Sequence, residues 1–204
     1  MRGGIVKNIL VIFVLMFLVI ANVSAEEKKP ITENELHTAL KTANPQYSGK
    51  AKFNKDKKGD IWGVILSDCN ISDLSPLHGM QLTAVGCVRN NITDLSPLKG
   101  MELNQFVCSE NPINDISAIT GMPIWNLDIS GTNVTDLTPL KGMELQMIGI
   151  DPTKISNGIE ILRNMKSLMG IYTEPKKKGS SVRIGPNLKR FWEQYDKGDY
   201  KKSK

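Results

Sequence analysis

The chain has 204 residues, a formal net charge of +5 and 23% charged residues, a length that suits one domain of ordinary size. The charge is uneven, because residues 61–155 carry ten acidic and four basic residues whereas residues 156–204 carry five acidic and twelve basic ones. Nucleic-acid binding needs a continuous basic face, which the acidic middle denies. No nucleic-acid partner is therefore expected.

The first 25 residues have the pattern of a secretory signal peptide. Arg2 and Lys7 precede an unbroken apolar run from Ile9 to Ile20, and Val23-Ser24-Ala25 supplies the small residues of a cleavage site. The run is too short to cross a hydrocarbon core, which takes about 20 residues. Residues 1–25 are therefore predicted to be a signal peptide, with an uncleaved signal anchor as the alternative. The mature chain is predicted to be secreted or to lie in the periplasm or cell envelope, without a stable transmembrane span.

Residues 26–60 are predicted to form an N-terminal cap made of a helix and the start of a hairpin. Thr32 followed by Glu35 is a capping-box pattern that begins the helix, and Asn44-Pro45 ends it. Two strands joined by a turn around Lys57-Lys58-Gly59-Asp60 are predicted next. A cap is needed here because a stack of repeats has an open apolar end.

A repeat of 21 residues fills residues 61–155. Asp73-Leu74-Ser75-Pro76-Leu77 returns in closely similar form beginning at Asp94, Asp115 and Asp136, and Gly-Met follows each copy at constant spacing. Asp suits the capping of a short helical turn, and Pro suits its first positions. The segment is too short for an α-helix, so 3₁₀ turns are predicted on this return side.

Upstream of each copy, alternating apolar residues such as Leu127 and Ile129 predict one short strand per unit. Each strand is followed by Cys, Asn or Thr and then by Ile or Val, a pattern met five times. One unit cannot bury its own apolar stripe, so neighbouring units must stack, with their strands side by side in a parallel sheet. Asn90 and Asn111 are predicted to turn inward and bond backbone groups that would otherwise be buried unpaired.

Residues 156–204 are predicted to form a C-terminal cap and a basic tail. Apolar residues between Ile159 and Leu168 predict one helix, and Phe191, Trp192 and Tyr195 predict a second helix that closes the last repeat. The lysine runs of this region are interpreted as solvated charges, or as contacts to an anionic surface.

These repeats resemble the short leucine-rich repeats of bacterial internalins. They are still more similar to the Asp-Leu-Ser-Pro-Leu-Lys-Gly-Met repeats of exported proteins from planctomycetes and related bacteria, here at Asp94 to Met101. The likeness covers roughly residues 32–196 and implies an α/β repeat solenoid with a parallel concave sheet and a thin convex side. The resemblance specifies the fold and says little about the partner.

The residues that could carry chemistry are few. The two histidines, His37 and His78, have no expected Ser or Cys partner, so the chain is not predicted to be an enzyme and no cofactor is expected. The four repeated Asp residues could form a calcium ladder, but a capping role explains all of them. Cys87 and Cys108 fall on adjacent strands, where they could form a disulfide or, the favoured interpretation, pack as free thiols like Cys69.

The outward positions of the strands are predicted to form a concave face that binds a protein. Five strands about 4.8 Å apart give on the order of 250 Å², against about 800 Å² per partner in a specific interface, so the flanks must take part. Trp62 and Trp125 are anchor candidates there, or else pack against a neighbouring loop. The alternative is a sheet face that only meets solvent. The candidates for protein contact are Trp62, Ile65, Val88, Gln105, Val107, Trp125, Asn126, Asp128, Met147 and Asp151.

Together these features predict a monomeric, non-enzymatic, extracytoplasmic leucine-rich-repeat protein that works as a protein–protein interaction module with an unknown partner. The alternative is a structural component of the envelope that is tethered by its basic C-terminal end.

Overall fold

The computed structural model describes residues 31–173 and 188–200. The predicted signal peptide and the lysine runs at 176–178 and 201–204 lie outside the described residues. Within the described ranges, no helix is long and apolar enough to cross a bilayer.

The N-terminal cap is a helix followed by a hairpin, as predicted. Helix α1 (Glu33–Ala43) begins with the capping box, in which the Glu35 amide donates to Thr32 Oγ1 at 3.3 Å and the Thr32 amide donates to Glu35 Oε2 at 2.8 Å. Strands β1 (Lys52–Lys55) and β2 (Ile61–Ile65) pair antiparallel. The hairpin therefore joins the cap directly to the first strand of the repeats.

One sheet runs through the described part of the chain, with seven strands in sequence order. From β2 onward the strands are parallel, and paired residues are 21 apart up to β6. Most strands are only three residues long, because each repeat spends the rest of its length on the turn and the return. The later strands are β3 (Ala84–Gly86), β4 (Gln105–Val107), β5 (Asn126–Asp128), β6 (Met147–Gly149) and β7 (Gly170–Tyr172).

The core is a set of columns in which equivalent apolar residues of successive repeats lie side by side. Phe106, Leu127 and Ile148 are paired on adjacent strands and are fully buried. At 25 cal/mol per Å² of apolar surface, stacking contributes about 1.5–3 kcal/mol for each such side chain. Stacking is therefore the main source of stability, as the repeat predicts.

Four 3₁₀ turns form the convex side of the described chain, at Ser75–Leu77, Ser96–Leu98, Ser117–Ile119 and Thr138–Leu140. The preceding Asp fixes each one through an i to i+2 bond, for example from the Ser75 amide to Asp73 Oδ1 at 2.7 Å. The prediction of 3₁₀ turns is confirmed. The N-cap residue of each turn is Leu or Ile, and the Asp carboxylate one position earlier accepts from the first amide of the turn.

The C-terminal region differs from the prediction in two ways. Helix α2 (Ile159–Arg163) is much shorter than expected, and the chain then adds strand β7 to the sheet. Leu168 and Ile171 are three residues apart, like Leu145 and Ile148 in the preceding repeat. Residues paired between β6 and β7 are 23 apart in the sequence, so a repeat length of 21 residues does not predict β7. Ile155, the last Ile of the repeat pattern, is half-buried, whereas its equivalents Ile71, Ile92 and Ile113 are fully buried.

Helix α3 (Leu188–Lys197) packs its aromatic residues over the end of the stack. Phe191 is fully buried, with its ring 4.8 Å from that of Trp192. Arg163 lies 4.3 Å from the centre of the Trp192 ring and bonds both Asp196 carboxylate oxygens, at 2.6 and 3.2 Å. The predicted closing helix is confirmed.

Candidate functional site

One edge of the sheet face is a column of exposed residues at the point where each strand begins. Backbone N–H to O=C bonds of 2.7 to 2.9 Å join each residue to its equivalent in the next repeat, so the column is continuous. Three of its members are large and apolar, with 41% of Trp62, 37% of Trp125 and 69% of Met169 exposed. We name this column the entrance rim: Trp62, Thr83, Asn104, Trp125, Gln146 and Met169.

Beside the entrance rim lies a second column, the inner column, formed by the next residue of each strand. Gln105 is exposed, whereas Asn126 and Met147 are half-buried. Strand pairing places these residues side by side, and the first and last residues of the column are both glycine. The inner column consists of Gly63, Ala84, Gln105, Asn126, Met147 and Gly170.

A third column, two residues further along the strands, is less open than predicted. Ile65 is 43% exposed and Val107 is half-buried. Asp128 is only 5% exposed, so its prediction as a solvent-facing contact is wrong. Its Oδ1 accepts hydrogen bonds from the Ser130 amide at 3.1 Å and the Ser130 hydroxyl at 2.6 Å, which holds the carboxylate back against the chain.

The positions just past the strand ends are also misassigned by the sequence pattern. Val88 is 7% exposed, and the equivalent Ser109 and Ser130 are fully buried. Because the strands stop after three residues, these positions lie in the turn, where alternation between the two faces no longer applies. Asp151, the last of the predicted contacts, is half-buried, and its Oδ1 accepts from the Thr153 hydroxyl at 2.6 Å. Thr153, which is equivalent to Asn90 and Asn111 in the repeat, is therefore held at the surface.

Charges collect on the flank where the strands end, which we name the exit flank. Arg89 makes two bonds to the Asp68 carboxylate, at 2.7 and 2.8 Å, and one to Glu110 at 3.3 Å. The hydrogen bonds to Asp68 raise the pKa of Arg89 above its ordinary value. All three residues have a positive φ, which puts successive repeats in the same turn geometry. The exit flank is thus polar and ion-paired, unlike the entrance rim.

The groups that could act chemically are engaged in structural contacts. His37 Nδ1 lies 2.7 Å from the Tyr47 hydroxyl within the N-terminal cap. The three cysteines are free and buried, and burial raises the pKa of Cys87 to about 12, which leaves the thiol protonated and inert. Among the described residues, no cluster of His, Cys, Asp and Glu could hold a metal ion.

The in-register parallel strands, the buried asparagines and the capped 3₁₀ returns define a leucine-rich-repeat solenoid. No protein-family model and no curated protein matches the chain. Among solved structures it is similar to internalin C2 of Listeria monocytogenes, with 24% identity over 67% of this chain and 72% of that one and a TM-score of 0.45. A second internalin (inlF) of the same species is 17% identical over 67% of this chain and 48% of its own, with a TM-score of 0.44. At these identities the likeness concerns the fold.

The sequence located part of this surface. Trp62 and Trp125 are predicted as anchor candidates, and the structure brings them into one column. Thr83, Asn104 and Gln146 are not among the predicted contact residues, although each follows Trp62 by a multiple of 21 residues. Met169 could not be placed without β7.

Proposed function

We propose that the chain is a non-enzymatic protein-interaction module that acts outside the cytoplasm through its sheet face. The observation that carries the proposal is the exposure of Trp62, Ile65 and Trp125 on one side of a stack whose other large apolar residues are almost all buried. Solvent exposure of such residues has a cost that binding to a partner removes. Trp is also among the residues on which binding energy concentrates.

Size requires the flanks to take part in this contact. The exposed sheet face covers on the order of 250 Å², far below the roughly 800 Å² that each partner gives to a specific interface. Protein interfaces have an apolar centre and a polar border. The exit flank, with Arg89 between Asp68 and Glu110, supplies such a border next to Ile65 and Val107.

The location outside the cytoplasm rests on the signal-peptide pattern of residues 1–25. Export removes this segment, so we expect the protein recovered from the periplasm or medium to begin near Glu26. N-terminal sequencing of that protein tests this part of the proposal, and a chain recovered from the cytoplasm with residues 1–25 intact would overturn it.

Cross-linking from a defined position tests the protein contact. A photoreactive amino acid placed at Ile65, on the sheet face, should give a discrete cross-linked protein in the producing cells. The same probe at Lys99, which is exposed on the convex side, is the matched control and should give none. Equal yields at both positions, or no product at Ile65, would contradict the proposal.

A further inference from the structure

Trp125 stands among four carboxamide side chains. Asn104 and Gln146 are its two neighbours along the entrance rim, and Asn126 follows it in the chain. Gln105 pairs with Asn126 on the adjacent strand. Asn is poorly suited to β-strands, so strand propensity does not explain Asn126 at its position in β5.

These amides are free to meet a ligand. Asn104, Gln105 and Gln146 are exposed, and Asn126 is half-buried. The amide groups of Gln105, Asn126 and Gln146 form no hydrogen bond with other described residues, and that of Asn104 makes one long contact of 3.4 Å to the Glu102 carbonyl. Each amide offers two donors and one acceptor with two lone pairs.

The same surface carries no charge. None of the twelve described positions of the entrance rim and inner column is charged, in a chain of which 23% is charged residues. A charged ligand would lose its water there without gaining an ionic partner, which is costly. The surface therefore suits a neutral ligand that makes both stacking contacts and many hydrogen bonds.

The shape of the surface selects a thin, linear ligand. Without the third column and the exit flank, the two columns make a strip about 24 Å long over six strands, too narrow by itself for the face of a globular protein. An extended peptide would fit its width, but the N–H and C=O groups of the inner strands are already used within the sheet. A peptide would thus leave most of its own backbone groups without partners.

A sugar chain meets each of these conditions. The C–H face of a pyranose ring packs on an indole ring, and its hydroxyl groups exchange hydrogen bonds with carboxamides. Strands lie about 4.8 Å apart, close to the length of one pyranose unit in an extended chain. Trp62 and Trp125, three strands apart, would then contact sugars three units apart in one chain.

We propose that the entrance rim and inner column bind a neutral linear polysaccharide. Trp125 is the stacking platform, the four surrounding amides bind the hydroxyl groups, and Trp62 is a second platform. This activity goes beyond the proposed protein interaction and does not depend on it.

Affinity electrophoresis of the purified chain in gels containing single polysaccharides tests the proposal. The panel comprises neutral β-glucan, galactomannan and arabinoxylan, with anionic polygalacturonate for comparison. At least one neutral polymer should slow migration, and added salt should leave the shift unchanged because no charges take part.

Trp125→Ala should weaken the affinity at least about tenfold, and Trp125→Tyr should retain part of it. Gln105→Ala with Asn126→Ala should weaken it too.

Lys99→Ala and Lys141→Ala, both exposed on the convex side, are matched controls that should bind like the parent chain. Thermal melting of every variant confirms that it is folded. The inference is overturned if no neutral polymer slows the chain, if Trp125→Ala binds as well as the parent, or if only polygalacturonate acts. Selection of linear peptides on phage that require Trp125, without polysaccharide binding, would also overturn it. If the probe at Ile65 gives a cross-linked protein but no polysaccharide slows the migration of the chain, this inference is overturned and the proposed function stands.

Discussion

Inward-turned asparagines connect neighbouring repeats at the level of single residues. Asn90 Oδ1 accepts from the Ile71 amide at 2.9 Å, and its Nδ2 donates to the carbonyls of Leu66 and Cys87 at 2.8 and 2.9 Å. The bonds span two repeats, so one side chain satisfies backbone groups that the tight turn cannot pair with one another. Asn111 does the same one repeat later.

Removing this side chain should cost more stability than removing a neighbour that faces water. We expect Asn90→Ala to lower the free energy of unfolding by about 2–4 kcal/mol, because several buried backbone groups lose their partners. Asn91→Ala, one residue on and exposed, should change it by less than about 0.5 kcal/mol. Urea denaturation measures both values, and equal losses would show that the buried amide does not hold the turn.

The repeated aspartates predict a loss of stability in acid. The Ser96 hydroxyl and amide lower the pKa of Asp94, and the Thr138 amide and hydroxyl lower that of Asp136. A group whose pKa is lower in the folded chain contributes stability above its ordinary value of 3.8, and this is lost as the pH falls through the folded value.

The melting temperature of the parent chain should therefore drop as the pH falls below about 4. Asp94→Asn with Asp136→Asn should drop less over the same range, because neither site can then take up a proton. The same acid sensitivity in both proteins would mean that other carboxylates are responsible.

At the scale of elements, two glycines with the same backbone geometry have different surroundings. Gly142, on the convex side, has a φ of +81° and nothing within 4 Å of a Cβ atom. Gly158, before α2, has a φ of +82°, and a Cβ there would lie 2.9 Å from the Thr138 amide nitrogen. The backbone at residue 158 lies so close to the last 3₁₀ turn that only glycine fits there without a shift.

Alanine at the two glycines separates backbone strain from steric conflict. Gly142→Ala should cost about 1–2 kcal/mol of unfolding free energy, the strain of a left-handed residue. Gly158→Ala should cost clearly more, since backbone atoms must also move apart. Chemical denaturation compares them, and a Gly158→Ala loss no larger than that of Gly142→Ala would refute the close approach.

Sequence periodicity predicts an element well where the repeat is strict. The strands, the 3₁₀ returns and the capping box of α1 follow from residue types at fixed spacing. The burial of Val88 and Asp128 does not, because it depends on a strand ending after three residues and on a carboxylate folding back onto Ser130. The amides around Trp125 become a cluster only when strands are placed side by side.

At the largest scale, the described part of the chain from Thr32 onward is a row of units with α1 at one end and α3 at the other. Each unit contacts only its neighbours, so the number of units can change if the register is kept.

Deleting residues 84–104, one complete repeat, should leave a chain that folds cooperatively with a lower melting temperature. Deleting residues 84–93 removes the same strand but shifts the register, and we expect no cooperative transition. Calorimetry measures the unfolding transition of both deletion variants. Similar melting curves for the two variants would contradict stacking in register.

The side-by-side placement of equivalent residues, on which the core, the sheet face and the binding surface all depend, can be measured most directly by NMR. Nuclear Overhauser contacts across the sheet should join residues paired 21 apart, such as Val85 with Phe106 and Leu127 with Ile148, and Ile148 with Ile171 at 23. Contacts at those separations are the result that we predict. Their absence, or contacts displaced by a residue or more, would contradict the stacked solenoid.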